Sequence, residues 1–146
     1  MSTSIILVLI AGVLPVIIGM IWYHPKVFGT AWARMSNISP EVADSTKRKM
    51  PLYAIIAFLA SMLVAWVMSF VGMALGEYVD WVSAVELGIW IWLGFVAPTM
   101  LGMVLWEHKP FSLYLINASY WLVSLIAMAL VLVLGSTLFG GTPLTY

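Results

Sequence analysis

The side chains of this chain best suited to proton or metal chemistry are His24, Glu107 and His108. Two imidazoles and a carboxylate suit a divalent transition metal. A histidine pair also titrates near neutrality and suits a pH-responsive contact. The same three side chains serve equally well as ordinary interfacial residues bound to water and lipid headgroups. No HExxH or similar spacing accompanies them, so no metal site is expected, with His24 and His108 as the weak candidates. The chain has no cysteine, hence no disulfide, thiolate ligand or cysteine nucleophile. It shows no nucleophile–base pair or cofactor fingerprint. Neither catalytic residues nor a cofactor are expected, and an enzyme ranks last among the functions considered.

A second set of polar residues lies inside an apolar stretch. Asn117, Tyr120 and Ser124 fall on one broad helical face, at i, i+3 and i+7. A lipid-facing amide loses its hydrogen bonds, so this face should meet another helix. Its role is then interhelical bonding, or else the lining of a polar path; bonding is favoured. Glu86 is the one acid near a helix interior, where acids are functional candidates by default. Ser83-Ala84-Val85-Glu86 also has the form of a capping box, and the capping role is preferred. Gly94, Pro98 and Gly102 recur at four-residue intervals, as do Pro15 and Gly19. Small residues at that spacing let helices approach closely, and Pro and Gly also mark kinks.

The elements that position these residues follow from composition and charge. The 146 residues are 64% hydrophobic and 8% charged, with a mean hydropathy of +1.09. Soluble domains run at about 25% charged, so lipid must cover much of this surface. Four uncharged or nearly uncharged stretches are long enough to cross a bilayer, giving an all-α membrane protein with helices at roughly 4–22, 52–75, 84–106 and 111–134. They form one integral membrane domain in a single four-helix bundle. Phe28, Ala31, Trp32 and Met35 recur at helical spacing after helix one and predict a short interfacial helix. Ser39-Pro40-Glu41 has the form of a helix start. Lys47, Arg48 and Lys49 anchor the start of helix two at Pro51.

All six Lys and Arg residues lie between helices one and two or between helices three and four. Positive charge collects on the cytoplasmic side. The expected location is the inner membrane, multi-pass, with both termini on the non-cytoplasmic side. The segment before His24 carries no Lys or Arg and reads as a retained helix rather than a signal peptide. The zero formal charge gives no reason to expect a nucleic-acid partner.

Helices one and three share a pattern. Pro15, Gly19 and Met20 align with Pro98, Gly102 and Met103, and Trp22 and His24 follow as Trp106 and His108 do after a one-residue gap. This reads either as two parallel helix-hairpin repeats, related by an axis along the membrane normal, or as convergence of residues common in membrane helices.

Two stretches carry a family resemblance. Gly19-Met-Ile-Trp22-Tyr23-His24-Pro25-Lys-Val-Phe28-Gly29-Thr-Ala-Trp32 resembles the GxxWYxPxxFGxxW signature of a bacterial membrane family, domain of unknown function 1761. The stretch from Lys109 to Val123, with Asn117 and Tyr120, resembles that family's last helix. Members often carry Asn-Trp near the start of helix one, where this chain has Ser4-Ile5-Ile6, and often a His where Trp121 stands. The resemblance implies four helices and supplies no activity. The function expected from the sequence is a small homo-oligomeric permeation protein, channel or transporter, for an ion or small solute. The alternative is a non-catalytic accessory, scaffold or lipid-interacting subunit.

Overall fold

A computed structural model describes residues 5–75 and 80–138. The expected start of helix one at Ser4, most of the turn from Gly76 to Trp81, and the tail beyond Leu138 lie outside the described residues. Among the described residues there is no strand. Four helices are long and apolar enough to cross a membrane. They come from α1 (Ile5–Trp22), α3 (Pro40–Leu75), a third span running from Trp81 to Leu105, and α7 (Phe111–Leu138).

Between α1 and α3 the chain makes a π-helical turn at Pro25–Gly29 and then α2 (Thr30–Met35). The expected short helix is present, and its polar members Lys26, Thr30 and Arg34 are exposed. Asn37 ends it in the left-handed region, at φ 54°, a conformation in which Asn is over-represented. The next helix begins at Pro40, and the Ser39 hydroxyl accepts from the Val42 N–H at 3.4 Å.

Helix two does not begin at Pro51. α3 is one helix of 36 residues that runs straight through this proline. Pro51 lacks only the N–H that would bond the carbonyl of Lys47. Lys47 is exposed, in the charged part of the helix. At 1.5 Å per residue α3 is about 54 Å long, well beyond the roughly 30 Å of hydrocarbon. Its charged first turns therefore project past the apolar layer.

The third span is divided into α4 (Trp81–Ile91), a π-helical turn (Trp92–Val96), α5 (Ala97–Met100) and α6 (Gly102–Leu105). Pro98 supplies no N–H to the preceding turn and crowds the residue before it. The helix absorbs this with a wider turn, in which the Ala97 N–H reaches the Trp92 carbonyl. Pro15 has no such effect: α1 is an uninterrupted helix across it. The two prolines thus share a sequence context but not a backbone outcome.

The start of the third span also corrects the sequence expectation. Asp80, not Ser83, is the N-cap: its carboxylate accepts from the Ser83 N–H at 2.8 Å, and the Ser83 hydroxyl accepts from the Asp80 N–H at 3.0 Å. Glu86 is exposed and lies beyond this box. Asp and Ser cap equally well, and the earlier of two overlapping boxes with the same spacing prevails here. Hydrogen bonds to the carboxylate, from the Ser83 backbone first and then the Ser83 side chain, hold the Asp80 carboxyl below its usual range.

α1 packs against both α3 and α7, and α4 packs against α7. The third span makes no comparable contact with α3. Around the bundle the helices follow the order α3, α1, α7, third span, and α3 also touches α7. A parallel twofold relation between hairpins would give the third span and α3 a contact equal to that of α1 and α7. The Pro–Gly–Met likeness of helices one and three therefore extends to sequence but not to their neighbours. Glycines fix two of these approaches. A Cβ on Gly12 would lie 2.7 Å from the Met62 side chain, and one on Gly88 would lie 2.8 Å from the Ile126 Cα. The apolar core, with Leu7, Ala65, Met68, Leu87, Met128 and Val133 fully or nearly buried, occupies the half of the bundle away from the Trp22 end. Large apolar residues remain exposed along all four spans, the surface that lipid covers.

Candidate functional site

The residues of the GxxWYxPxxFGxxW stretch assemble into one structure at the Trp22 end. After α1 the chain turns at Pro25, whose ring fixes φ for the first helical position. His24 caps this turn: its Nδ1 accepts from the Lys26 N–H at 3.2 Å. The Gly29 N–H bonds the His24 carbonyl at 3.0 Å. A Cβ on Gly29 would overlap the Tyr23 carbonyl oxygen, so only glycine lets the turn close this tightly. Closure lays Phe28 against Trp22, with centroids 5.0 Å apart, and Trp32 against Tyr23 at 5.3 Å.

Tyr23 and Trp22 then bind α7. The Tyr23 hydroxyl donates to Asn117 Oδ1 at 2.9 Å, and the Trp22 indole donates to the Ile116 carbonyl at 3.1 Å. α7 returns a bond: the Tyr120 hydroxyl donates to the Pro15 carbonyl at 2.9 Å. The Tyr120 ring lies 5.3 Å from the Tyr23 ring and runs along Gly19. Burial pushes the Tyr23 hydroxyl above its usual range, and the Tyr120 hydroxyl adds to this. Ser124, on the same face, is completely buried, and its Oγ has no hydrogen-bond partner among the described residues.

The other side of α7 repeats this pattern toward the third span. The Trp92 indole donates to the Ala118 carbonyl at 2.7 Å, and the Tyr114 hydroxyl donates to the Ala97 carbonyl at 3.2 Å. The Leu101 N–H, which would serve Ala97 in a regular helix, bonds Pro98 instead at 3.3 Å. Tyr114 thus occupies a carbonyl loosened by the break. Tyr114 and Trp92 escaped sequence reasoning. The available signal was that each is a ring with one polar atom inside an apolar span, where that atom must find a partner.

The expected inner-face cluster does not form a centre. His24, Glu107 and His108 are all exposed, and the Nδ1 of His24 is spent on its own turn. His108 has φ 53°, a left-handed residue that closes the end of α6, where the Lys109 N–H bonds the Met103 carbonyl at 3.0 Å. Among the described residues no group of three His, Asp or Glu side chains could hold a metal. Among the described residues, the packing role expected for Gly94, Pro98 and Gly102 is likewise not exercised. Gly94 has nothing within 4 Å of its Cβ position, Pro98 is exposed, and Gly102 meets only the Trp106 ring of its own span. The α4 glycine that does pack is Gly88.

Comparison with known proteins agrees with the motif. A search of curated proteins returned no match, and neither did a search of solved structures. A family model described as protein of unknown function (DUF1761) matches residues 6–133, a stretch that includes both the Trp22–Trp32 turn and its Asn117 partner, and the chain belongs to that family.

Proposed function

We propose that this protein is a non-catalytic membrane module, a scaffold or accessory subunit that works by presenting a rigid helical surface to other membrane components. The observation that carries this reading is the use made of Asn117, the one amide side chain within the four spans. Its oxygen is bound by Tyr23, while the neighbouring Tyr120 is bound to Pro15. A polar path would need these atoms turned toward water; here they join α7 to α1. On this reading the chain sits in the inner membrane with both termini on the non-cytoplasmic side, because its cations lie at one end. Asn117→Leu tests it. The variant should melt earlier in mild detergent, by about 0.5–2 kcal/mol, and ion or solute flux in liposomes should not change per folded chain. A normal melting temperature with altered flux would contradict the scaffold role.

A second reading, permeation of an ion or small solute between associated copies, draws on the third span. Irregular backbone at membrane depth is tolerated where protein or a water-filled cavity covers it. The Trp92–Met100 region turns Leu93, Gly94, Phe95, Pro98 and Thr99 outward. A second copy seated there would supply the cover. Gly94→Trp should then convert an oligomer to a monomer of 16.1 kDa in nanodiscs. A wild-type chain that is monomeric in native-like lipid removes this reading.

A further inference from the structure

The Trp22 end of the bundle gathers all the positive charge in the chain. Lys26 lies in the π-helical turn, Arg34 on α2, Lys47, Arg48 and Lys49 on α3, and Lys109 before α7. Contacts between helices set their levels. Gly12 meets Met62, and consecutive spans run in opposite senses. Trp22, ten residues beyond Gly12, therefore stands level with about Leu52, which places Arg48 and Lys49 roughly 5 Å further out. Trp22 bonds Ile116, and Lys109 precedes it by seven residues, about 10 Å. Arg34 follows Trp32, whose ring rests on Tyr23. The cations thus share a shallow layer just outside the aromatic one.

That layer is short of counter-charge. Among the described residues only Glu41, Asp44 and Glu107 share this end, and Glu41 and Asp44 stand further out along α3 than Arg48, by roughly 10 and 6 Å. Among the described residues the one ion pair is Lys47 with Asp44, at 3.3 Å. Lys26, Arg34, Arg48 and Lys49 are exposed and make no such pair, and Lys109 is half-buried. Beside them lie exposed rings: Trp106, 82% exposed, and Phe111, 55% exposed, flank Lys109. The amphipathic Trp106 ring suits the headgroup level, and the wholly apolar Phe111 ring suits the adjoining edge of the hydrocarbon.

We infer that this end binds anionic phospholipid, with the phosphate-bearing headgroups held by Lys26, Arg34, Arg48, Lys49 and Lys109 and the glycerol region packed against Trp106 and Phe111. The charge order along α3, acids outward and bases nearest the bilayer, matches a negatively charged surface. The inference goes beyond the scaffold reading and does not depend on it, since each chain carries the whole layer.

The test uses the full chain in mild non-ionic detergent, offered phosphatidylglycerol and phosphatidylcholine in equal amounts, with retained lipids counted by native mass spectrometry. Phosphatidylglycerol should be retained about threefold over phosphatidylcholine or more, and raised salt before analysis should bring the ratio toward one. The triple variant Arg34→Gln, Arg48→Gln, Lys49→Gln should lose the preference, and Arg34→Lys, Arg48→Lys, Lys49→Arg should keep it. Equal retention of the two lipids by the wild-type chain overturns the inference. So does a preference that survives both salt and neutralisation. Where the neutralised chain does not fold, the salt titration of the wild type decides alone.

Discussion

α7 treats its two neighbours alike in one respect and differently in another. Toward α1 it accepts an indole bond from Trp22 and gives the Tyr120 hydroxyl to the Pro15 carbonyl. Toward the third span it accepts from Trp92 and gives the Tyr114 hydroxyl to the Ala97 carbonyl, beside Pro98. Both sides use one indole in and one phenol out, each phenol ending at a proline or its neighbour, and the α1 side adds the Tyr23 bond to Asn117. The surroundings differ. Pro15 is buried in a regular helix between α3 and α7, whereas Pro98 is exposed in a helix that has opened a π-helical turn. A proline's sequence context therefore does not determine its structural effect. Pro15 keeps its helix regular between two packed neighbours, and Pro98 lies on an exposed face beside a π-helical turn.

The largest effect expected from this contrast lies in two glycines of the third span. Gly88→Ala drives a methyl into the Ile126 backbone, which cannot yield as a side chain can. It should destabilise the chain by about 1–3 kcal/mol, read as thermal unfolding in detergent. Gly94→Ala meets open space and should be neutral or stabilising by up to about 1 kcal/mol, from helix propensity alone. Equal losses for both would break the distinction between clamped and open faces.

The phenol bonds come next. Tyr120→Phe and Tyr114→Phe each remove one hydroxyl and should each cost about 0.6–1.7 kcal/mol. Tyr120→Phe leaves a carbonyl inside a regular helix, while Tyr114→Phe leaves one already released by the break. Hydrogen exchange should therefore rise around Ala97 to Leu101 in Tyr114→Phe and stay unchanged around Pro15 in Tyr120→Phe.

The smallest effect concerns the start of the third span. The Asp80 carboxyl is held below its usual range in the folded chain. A depressed folded pKa gives stability that is present above the unfolded value and lost as pH falls through the folded one. Stability should therefore be flat near neutrality and decline only in acid. Asp80→Asn, whose amide caps at every pH, should lack that share of the acid decline. Identical acid profiles for the two proteins would remove Asp80 as the cap.

Much of the frame was legible in the sequence because hydropathy and length decide it locally. The four spans, the α2 segment and the helix start at Ser39 follow from residues that act within a few positions of themselves. Asn117 and Tyr120, both half-buried, were legible as polar residues on one face, since an amide among apolar residues must find a partner. Their partners, Tyr23 and Pro15, were not, because nothing in sequence order says which helix α7 will face. The same gap explains Gly88 and Gly94: both are glycines in one apolar stretch, and only the packing of α4 on α7 separates them. Asp80 was missed for a local reason, two overlapping boxes with the same three-residue spacing. His24 and His108 carry backbone duties, a cap and a left-handed closure, that residue type alone does not reveal.

The account rests on the bond between Tyr23 and Asn117 as a structural tie between α1 and α7. A double-mutant cycle of Tyr23→Phe and Asn117→Leu, read by equilibrium unfolding in mild detergent, measures that tie directly. A coupling of about 0.5–1.7 kcal/mol is expected, with each single variant less stable than the wild type. Additive or negligible effects, with Asn117 reached by water-soluble labels in the folded chain, would contradict it and return this face to the role of a polar path.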